Sequence, residues 1–494
     1  MRDTGKLIAT GSEWTFDHLE AIDRACAAHA RGYRLDWFPN QIEVITSEQM
    51  LDAYSSVGLP VNYHHWSFGK EFLANQKGYQ TGEQGLAYEI VINSNPCISY
   101  LMENNSLAMQ ALVIAHACYG HNSFFKGNYL FRQWTQPEAI LDYMVFARNY
   151  IAECEDRYGY DRVESTLDAL HALREHGVDR YKRPGKLDSD RERKEQARRL
   201  QAAQETMRQG EYYSLVPQTA EIAAADRVFP EQPEENLLYF IEKHAPKLEP
   251  WQRELTRIVR KIAQYFYPQR QTKVMNEGWA TFWHHRILND MYDADQIDEG
   301  ILLECMHSHT NVIAQRPFSQ FNPYALGFAM FTDIRRVCES PTPEDYTYLP
   351  AVAGQDWLET LHDAMQNYRD ESFILQFLSP KVLRDFKLMH IHTDEDADVW
   401  DVHQTASVEG FEAVRRELAA NHRMEVYLPE ISAVRYRLDT DRSLLLRHQA
   451  FQGKTLDPEQ AEKTLAHLKF LWGYDVSLES VNTAGKVLRT FHGR

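Results

Sequence analysis

The sequence predicts a large, mainly α-helical domain over residues 1–385 followed by a small α+β domain over residues 386–494. Three observations carry this. A chain of 494 residues exceeds what one hydrophobic core of ordinary size organises. Apolar residues recur at helical spacing through most of the first 380 positions, and after about Asp385 the texture changes to short strand-like runs alternating with helices.

The first helix is read from Trp14, Leu19, Ile22, Ala25 and Cys26, with Gly11 and Ser12 ahead of it as the cap. A strand-like YEIVINSNP follows at 88–96, and residues 98–125 read as a helix apolar nearly all round, hence buried. Further helical patterns run through 137–176. A highly charged stretch at 182–208 reads as a solvated helix or connector, with a docking surface as the alternative. Residues 216–235, carrying Pro217, Pro230 and Pro233, read as a loop. Long helical patterns resume at 250–267 and 276–290. In the tail, FKLMHIH, VWDVHQT, AVRYRL and SLLLRH read as strands, and GFEAVRRELAANH and PEQAEKTLAHLKFLWG as helices.

Composition narrows the function. With 44% hydrophobic residues the chain can bury real cores, so disorder is not expected. A net charge of -18 repels phosphate backbones and argues against a nucleic-acid partner. The opening residues lack an apolar run ending in a small-residue cleavage site, and the longest apolar run, at 107–115, is too short to span a bilayer; a cytoplasmic location is expected. Six scattered cysteines without a C-x-x-C pair fit free thiols in a reducing compartment.

Chemistry concentrates in three places. In IAHACYGHNSFF, His116 and His121 are five residues apart, about 140° around a regular helix, so their rings would not meet. A π-bulge eased by Gly120 would restore a common face for a metal site; otherwise these are two unrelated core histidines. In VMNEGWATFWHH, Glu277 lies early in an apolar helix and is followed by Gly278, which costs about 1 kcal/mol in a helix interior. A metal ligand with close backbone approach would explain both residues, and a carboxylate favoured by the helix dipole is the alternative. His284 shares the face of Glu277. The third place, HSHTNVIAQRPF with NPYALGF, offers His307, His309, Arg316 and Tyr324, and on a helix at most one of the two histidines belongs to a given site. Weaker candidates are Glu89 on the strand before the histidine helix, His64 and His65, and a second metal position from Glu153, Glu155 and His171.

The stretches DAYSSVGLPVNYHHWSFGK, GLAYEIVINSNPCISYLME, ALVIAHACYGHNSFFK, VMNEGWATFWH, NPYALGFAMF and DESFILQFLSPKV resemble blocks of the SpoVR (stage V sporulation protein R) family. That resemblance implies a link to the spore cortex and stress physiology, and association with a serine protein kinase and a von Willebrand-type protein. The order of strand, histidine helix and later E-G-W-A helix is also similar to gluzincin-type metallopeptidases. It implies a zincin-like arrangement with His116, His121 and Glu277 as ligands of a divalent metal, most readily zinc, and His309 and Tyr324 as transition-state donors. Position 117 is Ala where those peptidases carry the water-activating glutamate, so Glu89 is the substitute base. The expected function is a metal-dependent hydrolase of peptide or amide bonds. The alternative is a non-catalytic metal-containing regulator, which a fourth ligand such as His284 or Cys118 would favour.

Overall fold

The computed structural model describes residues 7–55, 63, 65–66, 89–180, 229–315, 321–388, 390–394, 399–403, 408–437 and 440–493. The charged stretch 182–208, His64, Arg316 and most of the expected loop at 216–235 lie outside the described residues.

Helix α1 (Phe16–Gly32) is capped by Thr15, not by Gly11 or Ser12, because the Thr15 hydroxyl accepts from the His18 N–H while the His18 ring accepts from the Thr15 N–H. Strands β1 (Asn40–Ile45), β2 (Glu89–Ile92) and β3 (Cys97–Met102) form a mixed sheet in the order β1-β3-β2. Strand β3 corrects the expectation of helix from residue 98. CISYLM is a run apolar but for Ser99, whose periodicity does not separate helix from strand, and parallel pairing with β1 plus antiparallel pairing with β2 decides the matter. Ser106 then caps α2 (Leu107–Val113), which runs on as a π-helical segment (Ile114–His121) and α3 (Asn122–Gly127).

Later come α4 (Leu237–His244), α5 (Pro250–Gln271), α6 (Lys273–Asp293), α7 (Glu299–Val312), α8 (Pro323–Glu339) and α9 (Asp370–Phe377). The chain ends with the hairpin β4 (His390–Asp394) and β5 (Val399–His403), helix α10 (Val408–Ala420), β6 (Glu430–Tyr436), β7 (Leu444–Gln449), α11 (Pro458–Trp472), β8 (Val476–Val481) and β9 (Val487–His492). Among the described residues no helix is long and apolar enough to cross a membrane.

The chain divides into two compact units, Met1–Val163 with Gln264–Tyr427, and Glu164–Ala263 with Leu428–Arg494. The first is mainly helical. Its core includes Phe411, Val414, Leu418 and Ala419 of α10, so the segment from 386 to 427 belongs to this unit and the division in the tail falls at 427/428. In the second unit, β6-β7-β8-β9 form one sheet in which only the β7–β8 pair is parallel, and α11 makes the crossover that this pair requires. There the buried Glu242 carboxylate is held by Arg257 and Arg260.

Within the first unit, α6 is wrapped by the π segment, α8, α1 and α7. Trp279 and Trp283 are fully buried on it, and the Trp279 indole N–H donates to Ser123. Backbone proximity makes this packing specific. A Cβ on Gly278 would lie 2.4 Å from the Gly327 backbone of α8, and one on Gly120 would lie 2.5 Å from the Ala280 Cα. Gly278 is therefore explained by a helix crossing, independently of any ligand. The first turn of α6 is capped from α9, where Asp370 accepts from the N–H groups of Val274 and Met275 at 2.9 Å each.

Two predictions follow from this packing. Gly278→Ala is expected to lower the unfolding free energy by at least about 2 kcal/mol through overpacking against backbone that cannot move aside. Gly32→Ala, where an added Cβ meets nothing within 4 Å, should stay within about 0.5 kcal/mol in the same urea titrations. Burial pushes the Asp370 carboxyl from 3.8 up to about 7, against the pull of the N–H groups it caps. The folded state then holds a proton that the unfolded chain lacks, a contribution fully present below about pH 4 and lost as pH rises through about 7. The stability of wild type relative to Asp370→Asn should accordingly fall between pH 5 and pH 8, and a flat difference would contradict this role.

Candidate metal centre

The segment from Ile114 to His121 adopts the wider π winding, whose turn closes on the fifth residue instead of the fourth. The rings of His116 and His121 consequently stand 4.6 Å apart between centroids, on one side of the helix. Gly120, on the same segment, leaves room for the backbone of α6, which lies directly against it. Both histidines are buried, at 3% and 7% exposure.

Glu277 projects from the second turn of α6 toward these rings. Its Oε2 lies 3.4 Å from His121 Nε2 and 3.7 Å from His116 Nε2, and this buried oxygen completes no hydrogen bond. Glu89, first residue of β2, brings Oε1 to 3.8 Å from His116 Nε2. One ligand atom from each of Glu89, His116 and His121 lies within 4.8 Å of the others, a grouping that could hold a metal ion. Tyr324, in the first turn of α8, donates its hydroxyl to the Glu277 carboxylate, and its ring stacks on His116 at 6.2 Å. An unpartnered carboxylate oxygen facing two imidazole nitrogens and a second carboxylate is a donor set that fits a divalent cation.

The electrostatics follow from burying acids and imidazoles together. Burial works to raise the Glu277 carboxyl, but His121, His116 and Tyr324 outweigh it and hold the group below its ordinary value. The Glu89 carboxyl is pushed up, chiefly by burial and partly by Glu277. Burial works to lower His116, and the Glu277 and Glu89 carboxylates reverse that and raise it. His121 is lowered to about 4 by burial and by His116, against the pull of Glu277. Its Nδ1–H donates to Asn276 Oδ1 at 3.0 Å, which leaves Nε2 as the bare nitrogen facing Glu277.

The remaining candidates lie elsewhere. His309 does not face the carboxylates as an oxyanion donor; its Nδ1 is 2.9 Å from His284 Nε2, on the far side of that ring. His307 is exposed on α7 and pairs with Asn311. His284 turns Nδ1 to His116 and Nε2 to His309, and Cys118 turns its thiol to Ser99 on β3, so neither points between His116 and His121. Glu153 is exposed, and the Glu153–Glu155–His171 grouping is not among the described clusters able to hold a metal. The six cysteines are buried free thiols. Asn276 and the contacts of His284 with His116 and His309 were missed by sequence reasoning. The shared face of Glu277 and His284, seven residues apart, was the signal available for the latter.

Fold and site together define a mainly helical protein with a buried cluster of histidines and carboxylates able to bind a metal ion. Residues 13–427 match the family described as SpoVR like protein and residues 429–483 the SpoVR-like C-terminal domain, the boundary falling where the tail passes from one compact unit to the other. The chain belongs to the SpoVR family. It is 53% identical over 497 aligned positions to a protein of Escherichia coli (strain K12) named "Uncharacterized protein YcgB", covering 98% of this chain and 96% of the relative. No solved structure matches.

Proposed function

We propose that His116, His121 and Glu277 hold a divalent ion, zinc by the character of the donors, and that the protein is a hydrolase of peptide or amide bonds acting on cell-wall material such as peptidoglycan. The observation that carries this reading is the buried, unpartnered Glu277 Oε2 facing both Nε2 atoms. Two neutral imidazoles and one carboxylate suit zinc, which supplies Lewis-acid polarisation of a carbonyl when bound.

The chain's own residues supply the rest. Glu89, whose carboxyl is raised by burial, is placed beside His116 to take a proton from an attacking water and return it to the leaving nitrogen. Tyr324 orients Glu277 through its hydroxyl and can turn that donor toward developing negative charge. The likeness to gluzincin-type metallopeptidases supports the order of elements, with Glu89 standing for the glutamate absent at Ala117.

That same Ala117 favours a second reading, in which the family keeps the site for structure and works as a regulator beside a serine protein kinase. Elemental analysis and a substrate panel separate the two. The purified chain should carry close to one zinc per molecule. His121→Ala and Glu277→Gln should weaken binding by more than the roughly 10–100-fold that loss of a partner hydrogen-bonded to a ligand histidine costs. Glu89→Gln should keep its metal while losing cleavage of a panel of peptides, amides and muropeptides. Metal-loaded wild type that cleaves none of them supports the regulator, and wild type that binds no divalent ion removes both readings.

A further inference from the structure

Behind His116, away from the carboxylates, lies a line of imidazoles. His116 Nδ1 is 2.9 Å from His284 Nδ1, and His284 Nε2 is 2.9 Å from His309 Nδ1. The three rings come from the π segment, α6 and α7, and all are buried. The far end is boxed in by His285 and Phe328, each with its ring centroid 4.8 Å from that of His309.

A neutral imidazole has one donor nitrogen and one acceptor nitrogen. Each contact in the line holds one proton, so fixing one ring fixes all three. Only two arrangements of neutral rings keep both hydrogen bonds. In the first, His116 Nδ1–H donates to His284 Nδ1, His284 Nε2–H donates to His309 Nδ1, and His309 carries its proton on Nε2. His116 Nε2 is then a bare lone pair aimed at Glu277 and Glu89. In the second, every proton sits on the opposite nitrogen, and His116 Nε2–H points at the carboxylates. Conversion from the second to the first releases one proton from His116 Nε2 into the site and takes one up from water on His309 Nε2, leaving each ring neutral.

We propose that His284, with His309 behind it, is a positioning residue that sets the tautomer of His116 and thereby frees Nε2 to bind a divalent cation. This rests on the metal reading of the site. The other ligand histidine has the equivalent support in simpler form: His121 Nδ1–H donates to an amide oxygen, Asn276 Oδ1, at 3.0 Å. One ligand is oriented by an amide and the other by an imidazole that needs a third ring to fix its own proton. Ring packing alone would account for burial of His284 but not for both of its nitrogens being engaged at 2.9 Å.

The test uses the full-length chain, zinc titrated against a chromogenic chelator, and nitrogen NMR of the protein labelled with 15N-histidine. His284→Leu should weaken zinc binding by roughly 10–100-fold, the usual cost of removing such a partner. His284→Asn, which offers an amide oxygen as Asn276 does, should restore most of that loss. In zinc-loaded wild type the spectrum should show His116 protonated on Nδ1, and His284 and His309 on Nε2, a reading that needs no variant to fold. A wild type that binds zinc with His116 protonated on Nε2, or a folded His284→Leu that binds as tightly as wild type, overturns the proposal alone. A wild type that binds no divalent ion overturns the metal reading and this proposal with it.

Discussion

The closest backbone contact around α6 is the one on which the site depends. Gly278 of α6 and Gly327 of α8 meet with no room for a side chain between them, and Gly120 of the π segment meets Ala280 in the same way. Three helices thereby come within backbone contact of one another, and the groups on their facing sides are committed to a shared interior. Glu277 and Asn276 precede Gly278, His121 follows Gly120, and Tyr324 stands one turn before Gly327. Larger residues at these positions would spread the helices and dissolve the cluster without touching any of its members.

Such proximity forces acids and imidazoles into a space with little water, where each must be satisfied by its neighbours. Glu277 stays ionised because His121, His116 and Tyr324 outweigh its burial, whereas Glu89, with fewer compensating groups, is pushed the other way. Two carboxyls beside the same imidazole nitrogen, at 3.7 and 3.8 Å, with opposite tendencies are a common basis for dividing labour, one holding charge and one exchanging a proton. The histidines divide similarly. His121 is kept neutral by burial and tied by Asn276, and His116 is drawn toward its protonated form by both acids.

How much of this was legible in the sequence depends on whether a feature is local. The five-residue separation of His116 and His121 demanded a π winding if the rings were to meet, and the wholly buried segment is wound that way, with Gly120 against the backbone of α6. Glu277 was singled out for the cost of an acid in an apolar helix, and it does face the histidines. The reason inferred for Gly278 was incomplete, since its partner is Gly327, forty-nine positions away, and no local pattern announces a helix crossing. Strand β3 was read as helix for a related reason: its mostly apolar run is decided by strands on either side of it. His309 was expected among the reacting groups, but the ring of His284 stands between it and the cluster, which only the three-dimensional arrangement of α6 and α7 reveals.

A metal held by His116, His121 and Glu277, as proposed, would be bound through imidazole nitrogen and carboxylate oxygen, with no sulfur. X-ray absorption fine structure of the zinc-loaded, full-length chain measures this directly. The expected spectrum has nitrogen and oxygen neighbours at about 2.0–2.2 Å with the multiple scattering of two imidazole rings, reduced to one ring in His121→Ala. Sulfur at about 2.3 Å, or a spectrum without imidazole scattering, would contradict it.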